Sequence, residues 1–210
     1  MTIVLSLAWL MVGARAGPAW AQAPVPLPLP LAVPMAVPPS QAAFRAVLVK
    51  YDALAGAETD IDLLRELEVE RGAAFAGVLG EGLRFDGWRL ILSGTESTPM
   101  GAIFLRLLDT TLNAPRKVRP TYWNSGPGAI MRQAEISVKS PLHVPTALLK
   151  RGTVVVVSGH FFAGETGGPY FESARISAHP LEVEHGRFRA PYFSIKIEAI
   201  AEYFPEPRYP

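Results

Sequence analysis

Residues 148–159 read Leu148-Leu149-Lys150-Arg151-Gly152-Thr153-Val154-Val155-Val156-Val157-Ser158-Gly159. A helical turn ending in two leucines can pack beneath a sheet, and Gly152 lets the chain reverse tightly. The β-branched run that follows suits a central strand. Gly159 permits the sharp bend that a small closed barrel demands of its strands. The stretch therefore predicts a strand over residues 153–162, entered from a helical turn.

Working outward from it, the period-2 pattern predicts strands over residues 85–93 and 102–108, joined by a turn over 94–101 that contains Pro99. A long irregular segment, 109–133, precedes a short third strand over 134–139. Residues 141–150 suit one or two helical turns. Beyond the central strand, a glycine-rich turn over 164–169 leads to a fifth strand over 170–178, and 192–200 reads as an extra strand or a short helix. Three strands, a short helical connection and two more strands is the order of an OB-fold barrel.

Two helices should precede the barrel. Residues 41–54 place Phe44, Val47, Leu48 and Tyr51 at helical spacing. The second begins with Thr59 as cap and Asp62 near the N-terminal dipole. It carries Ile61, Leu64, Leu67, Phe75, Val78 and Leu79 on one face and ends at Gly80 and Gly82. Its polar side is acidic, which suits packing on the protein's own sheet better than a membrane surface. The expected fold class is α+β, mainly β: a helical pair over 41–84 packed on an OB-like five-stranded barrel over 85–204, which carries the 109–133 insertion.

Trp88 in the first strand, Gly101 opening the second, and Leu149-x-x-Gly152-x-x-Val155-x-Val157-x-Gly159 in the fourth form a pattern across residues 85–178. With the helical pair before it, the pattern resembles the OB-like, tRNA-anticodon-binding-like domain of uncharacterised exported bacterial proteins. The resemblance implies a barrel and brings no catalytic residues. It implies nothing about tRNA, which an exported protein would not meet.

The first forty residues bear on compartment. Residues 3–12 are almost wholly apolar and lead to Ala19-Trp20-Ala21-Gln22-Ala23, which holds two overlapping small-x-small cleavage sites. An apolar run of about ten residues is too short to span a bilayer, so 1–23 reads as a cleaved signal peptide with no membrane span left afterwards. No Lys or Arg precedes that run, and Arg15 follows it. Residues 24–40 are a proline-rich linker of polyproline II character, and 205–210 form a proline-rich tail. The expected location is the periplasm or the exterior.

The chain of 210 residues contains no cysteine, which excludes disulfides, thiolate metal ligands and a cysteine nucleophile. Formal net charge is +1, and removing Arg15 brings it close to zero. That balance argues against non-specific nucleic-acid binding, which needs many phosphate-neutralising side chains.

The strongest candidate surface combines the basic and aromatic residues of the insertion, Arg116, Arg119, Tyr122, Trp123 and Arg132, with Phe104 and Arg106 of the second strand. Aromatic faces beside guanidinium groups suit stacking and the capture of anionic groups. By alternation, Phe104 and Arg106 point outward when Leu105 and Leu107 point inward. Catalysis finds little support. His160 lies near Ser158 and Glu165, but no Gly-x-Ser-x-Gly element is present. His179 and His185, read on an extended connecting segment, are roughly 20 Å apart and cannot share one ion. No metal or other cofactor is expected. The expectation is a non-enzymatic binding or adaptor module whose partner is an envelope protein, with a glycan or oligonucleotide as alternatives. A competing reading is an envelope-polymer hydrolase or lyase using His160 with Glu165 or Glu172.

Overall fold

The computed structural model describes residues 37–109, 118–125, 134–164, 168–173 and 180–204. Helix α1, Pro39–Ala55, starts on a proline at its first position, where a missing N–H costs nothing. Its buried residues Gln41, Phe44, Leu48, Tyr51 and Ala55 recur every three or four positions and form one stripe. Helix α2, Ile61–Leu79, is capped by Asp60, whose carboxylate accepts from the Asp62 and Leu63 amides at 2.8 and 3.4 Å. Thr59 is not the cap. Its amide and that of Asp60 donate instead to Glu58 Oε1, which sets the cap one residue later. Asp60→Ala should cost about 1 kcal/mol, read as a shift in the midpoint of chemical unfolding.

The strands follow as β1 Arg84–Ser97, β2 Ile103–Leu108, β3 Thr121–Trp123, β4 Val154–Phe161, β5 Phe171–Ser173 and β6 Pro191–Glu202. Helix α3, His143–Ala147, lies between β3 and β4, and helix α4, Pro180–Arg189, between β5 and β6. Strand β1 is long and bends: residues 84–91 pair with β4, and 91–97 pair with β2. A bulge between Phe85 and Trp88 accommodates the bend, with Gly87 at φ +64° and its amide on Ser158 Oγ. The hydrogen-bonded circuit runs β1-β2-β3-β6-β4 and back to β1. All pairs in it are antiparallel except β3 with β6, which is parallel. This is a closed, five-stranded mixed barrel preceded by helices, the OB-like architecture.

Two strands lie elsewhere than the pattern predicts. The third barrel strand is Thr121–Trp123, inside the stretch read as irregular, whereas of residues 134–139 only Ile136 bridges to Ile103. Asn124 explains how so short a strand is held. Its side chain accepts from the Leu105 amide at 2.6 Å and donates to the Ala134 carbonyl at 3.0 Å, so a carboxamide stands in for further backbone pairing. The closing strand is β6, not residues 170–178, of which 171–173 form a short strand set against β6. Strand β6 buries Phe193, Ile195, Ile197 and Ile200. Of residues 179–185, read as a connecting segment, 180–185 open helix α4, which has Glu182 in the first turn and Arg187 and Arg189 in the last, matching the helix dipole. His185 Nε2 donates to the Glu58 carbonyl at 2.9 Å, while His179 falls outside the described residues.

Helix α1 closes one end of the barrel. The Phe44 ring lies 4.3 Å from Phe75, 5.0 Å from Trp88, 5.3 Å from Phe161 and 5.4 Å from Phe193. Polar contacts fix the same helix to β1 beyond the end of β2. The Gln41 carboxamide accepts from the Arg89 amide and donates to the Arg89 carbonyl, each at 2.9 Å, in place of a neighbouring strand. Arg45 grips Asp109 through two bonds at 2.6 and 2.7 Å.

Candidate binding face

Alternation decides which predicted residues reach the surface. In β2 the side chains of Ile103, Leu105 and Leu107 are buried, so Phe104 and Arg106 stand on the outer side, half-buried. The register sets Arg106 opposite Gly94 of β1 and opposite Trp123 of β3. The guanidinium lies over the Trp123 indole, 5.0 Å from its centroid, and Nη2 donates to Glu96 Oε1 at 3.2 Å. Glu96 is itself opposite Phe104 in the β1–β2 register. Across the parallel seam, Tyr192 of β6 sits 6.3 Å from Trp123, ring to ring. The face therefore joins Phe104, Arg106, Trp123, Tyr192 and Glu96 from four strands.

Tyr122 must be taken off this surface. It faces inward, 1% exposed, stacked on Phe193 at 5.7 Å and edge-on to Trp88 and Phe161. Its neighbour Trp123 took the outward position, as period 2 requires. Burial pushes the Tyr122 phenol well above its ordinary value, and the nearby Asp109 carboxylate adds to this. Its hydroxyl is buried without a hydrogen-bond partner. Tyr122→Phe should therefore be neutral or stabilising by about 1 kcal/mol at pH 7. In the unfolded chain the phenol ionises near 10, while in the folded barrel it keeps its proton. Its contribution to stability is thus intact below pH 10 and is lost as the pH climbs from there toward the folded value. Unfolding curves of the two proteins across pH 8–11 should diverge in that sense.

Arg119 is exposed and donates its backbone amide to the Arg189 carbonyl. It lies four residues before Trp123, roughly 13 Å along an extended chain, so it flanks the face without joining the stack. Arg116 and Arg132 lie outside the described residues. Sequence reasoning missed Glu96 and Tyr192. Extending the β1–β2 register through the hairpin would have found Glu96. Tyr192 depends on a parallel pairing with no local signal.

His160, considered for catalysis, lies on another wall of the barrel. The register aligns Arg84, His160 and Lys196 across β1, β4 and β6. His160 Nδ1 bonds Glu198 Oε1 at 2.9 Å, and Arg84 pairs with the other carboxylate oxygen. Partial burial works to raise the Glu198 carboxyl. The hydrogen bond with His160 and the Arg84 charge outweigh it and hold the group below the usual carboxylate range. Ser158 Oγ instead donates to Asp86 and accepts from Gly87, and so is not poised on His160. Glu165 and the side chain of Glu172 are not among the described parts of the chain. No three His, Asp or Glu side chains come together among the described residues.

A second buried charge went unread in the sequence. Arg71 of α2 is fully buried, its guanidinium 4.2 Å from the Phe171 centroid and 4.3 Å from that of Phe188. Burial pushes it down to about 9. Nη1 donates to the Arg187 carbonyl at 3.1 Å, which ties α2 to α4. Compared with protein-family models, with curated proteins and with solved structures, the chain matches none of them.

Proposed function

We propose that this protein is an exported, non-enzymatic binding or adaptor module that engages a protein partner of the cell envelope through the outer β2–β3 face. The observation that carries the reading is the Arg106–Trp123 stack, flanked by Phe104 and Tyr192. Large amphipathic rings and an arginine on a rigid sheet supply contact area at low conformational cost, the composition of interface hot spots. Support for export comes from the apolar run 3–12 and the small-residue sites at 19–23. No helix among the described residues is long and apolar enough to cross a membrane. The near-neutral charge favours a protein over a polyanion. The resemblance to exported OB-like domains of the tRNA-anticodon-binding-like kind belongs to this proposal too.

The test compares affinity capture from envelope extracts by the native protein and by Trp123→Ala and Arg106→Ala. One or more captured proteins should be lost from both variants, with unfolding midpoints little changed. An unchanged set of captured proteins would remove the face. N-terminal sequencing of the protein from the envelope fraction tests export, and an uncleaved Met1 in the cytosol would refute it.

A further inference from the structure

We infer that Glu96 is a built-in stand-in for a partner's carboxylate, so that the face takes an acidic protein segment by exchanging one carboxylate for another on Arg106. The inference rests on the β2–β3 face being a binding surface. Three features of Arg106 carry it. Its guanidinium is held in place before any partner arrives, lying on the Trp123 indole at 5.0 Å. Its pairing with Glu96 is single and long, one bond from Nη2 at 3.2 Å, although a carboxylate can take an arginine through two parallel bonds. Nε, the other donor on that edge of the fork, is buried with no hydrogen-bond partner.

The energetics favour exchange. Both partners are well exposed, with side-chain exposures of 40% and 58%, and an ion pair in such a setting contributes little. A long glutamate side chain on the β1–β2 hairpin also gives up rotamer freedom to stay there. Gly94, opposite Arg106, contributes no side chain to that side of the arginine. An incoming carboxylate that uncovered Nε and took it together with Nη2 would satisfy the donor now left over. Glu96 would then swing to solvent. Until that happens, Glu96 cancels the charge of Arg106 and screens the face from weak anions, so only a segment that also covers Trp123 and Tyr192 displaces it. Phosphate polyanions fit less well, because a face with one compensated cation offers them little.

The test uses the full chain and follows Trp123 by its indole N–H signal, assigned with Trp123→Phe. Hexaglutamate, hexalysine and the neutral sugar cellohexaose serve as probes. Hexaglutamate is expected to shift the Trp123 signal, and Glu96→Gln to tighten its binding about two- to five-fold, the loss of one exposed ion pair expressed as a ratio of dissociation constants. Arg106→Gln should abolish the response, and Arg106→Lys, which keeps charge and loses the fork, should weaken it. Glu81→Gln, an exposed acid before the opposite end of β1, should leave it unchanged, which separates exchange at Arg106 from a general gain in positive charge. Silence toward hexaglutamate in both native protein and Glu96→Gln overturns the inference. If cellohexaose or hexalysine then moves Trp123, the binding face survives and only its preference for carboxylates falls. If no probe moves Trp123 and captured proteins are also indifferent to Trp123→Ala, both readings fall.

Discussion

Phe44→Ala is expected to lower the free energy of unfolding by about 3–5 kcal/mol, against about 5–15 kcal/mol for a typical domain. Phe44 is fully buried and touches rings from α2, β1, β4 and β6 as well as Tyr122 of β3. Truncation removes apolar transfer energy and leaves a hole walled by Trp88, Phe161 and Phe193, large rings on paired strands that cannot collapse inward cheaply. Urea unfolding followed by far-UV circular dichroism would measure the loss. A cost under 1 kcal/mol would show that α1 does not stopper the barrel. Phe44→Leu, which keeps more of the volume, should recover part of the loss.

Asp109→Ala should be nearly as damaging, at about 3–5 kcal/mol, for an electrostatic reason. The carboxylate is completely buried and accepts both Arg45 bonds, and the Arg45 side chain is itself only 11% exposed. Removing the acid strands a guanidinium with little water to replace it. Arg45→Met combined with Asp109→Leu should cost much less than the two single changes summed, because apolar groups of similar volume remove the unpaired charge. Additive costs in that double-mutant cycle would rule out coupling between helix and barrel through this pair.

The fold was legible wherever a strand announces itself by alternation. Val154–Phe161 and Ile103–Leu108 bury alternate side chains along their whole length, and both were read directly. Thr121–Trp123 is too short to show a period and is hemmed by Pro115, Pro120 and Pro127, so the irregular composition around it prevailed. Residues 180–189 mix His, Glu and Arg with few apolar side chains, and among the described side chains there only Phe188 is both apolar and fully buried, too sparse a stripe for helical periodicity. For the face, alternation turned Phe104 and Arg106 outward, as the strand has them, but said nothing of Tyr122 and Trp123, whose stretch carried no strand signal. Choosing between them needed the register with β2, which sequence alone does not contain. Arg71 was hidden for a different reason: its burial depends on β5 and α4, more than ninety residues away in the chain.

The three-residue parallel seam between β3 and β6 has a bearing on biogenesis. Strand β6 bonds β4 and, through three residues, β3, and among the described strands no other pairs with both. A growing polypeptide that has emerged only as far as α4 has four barrel strands in a row and two open margins. Zipping it shut requires residues 191–202, paired with partners synthesised some forty and seventy residues earlier. Barrel closure should therefore wait until residues 191–202 have emerged, and ribosome-stalled chains ending before residue 190 should stay protease-sensitive through β3 however long they are held.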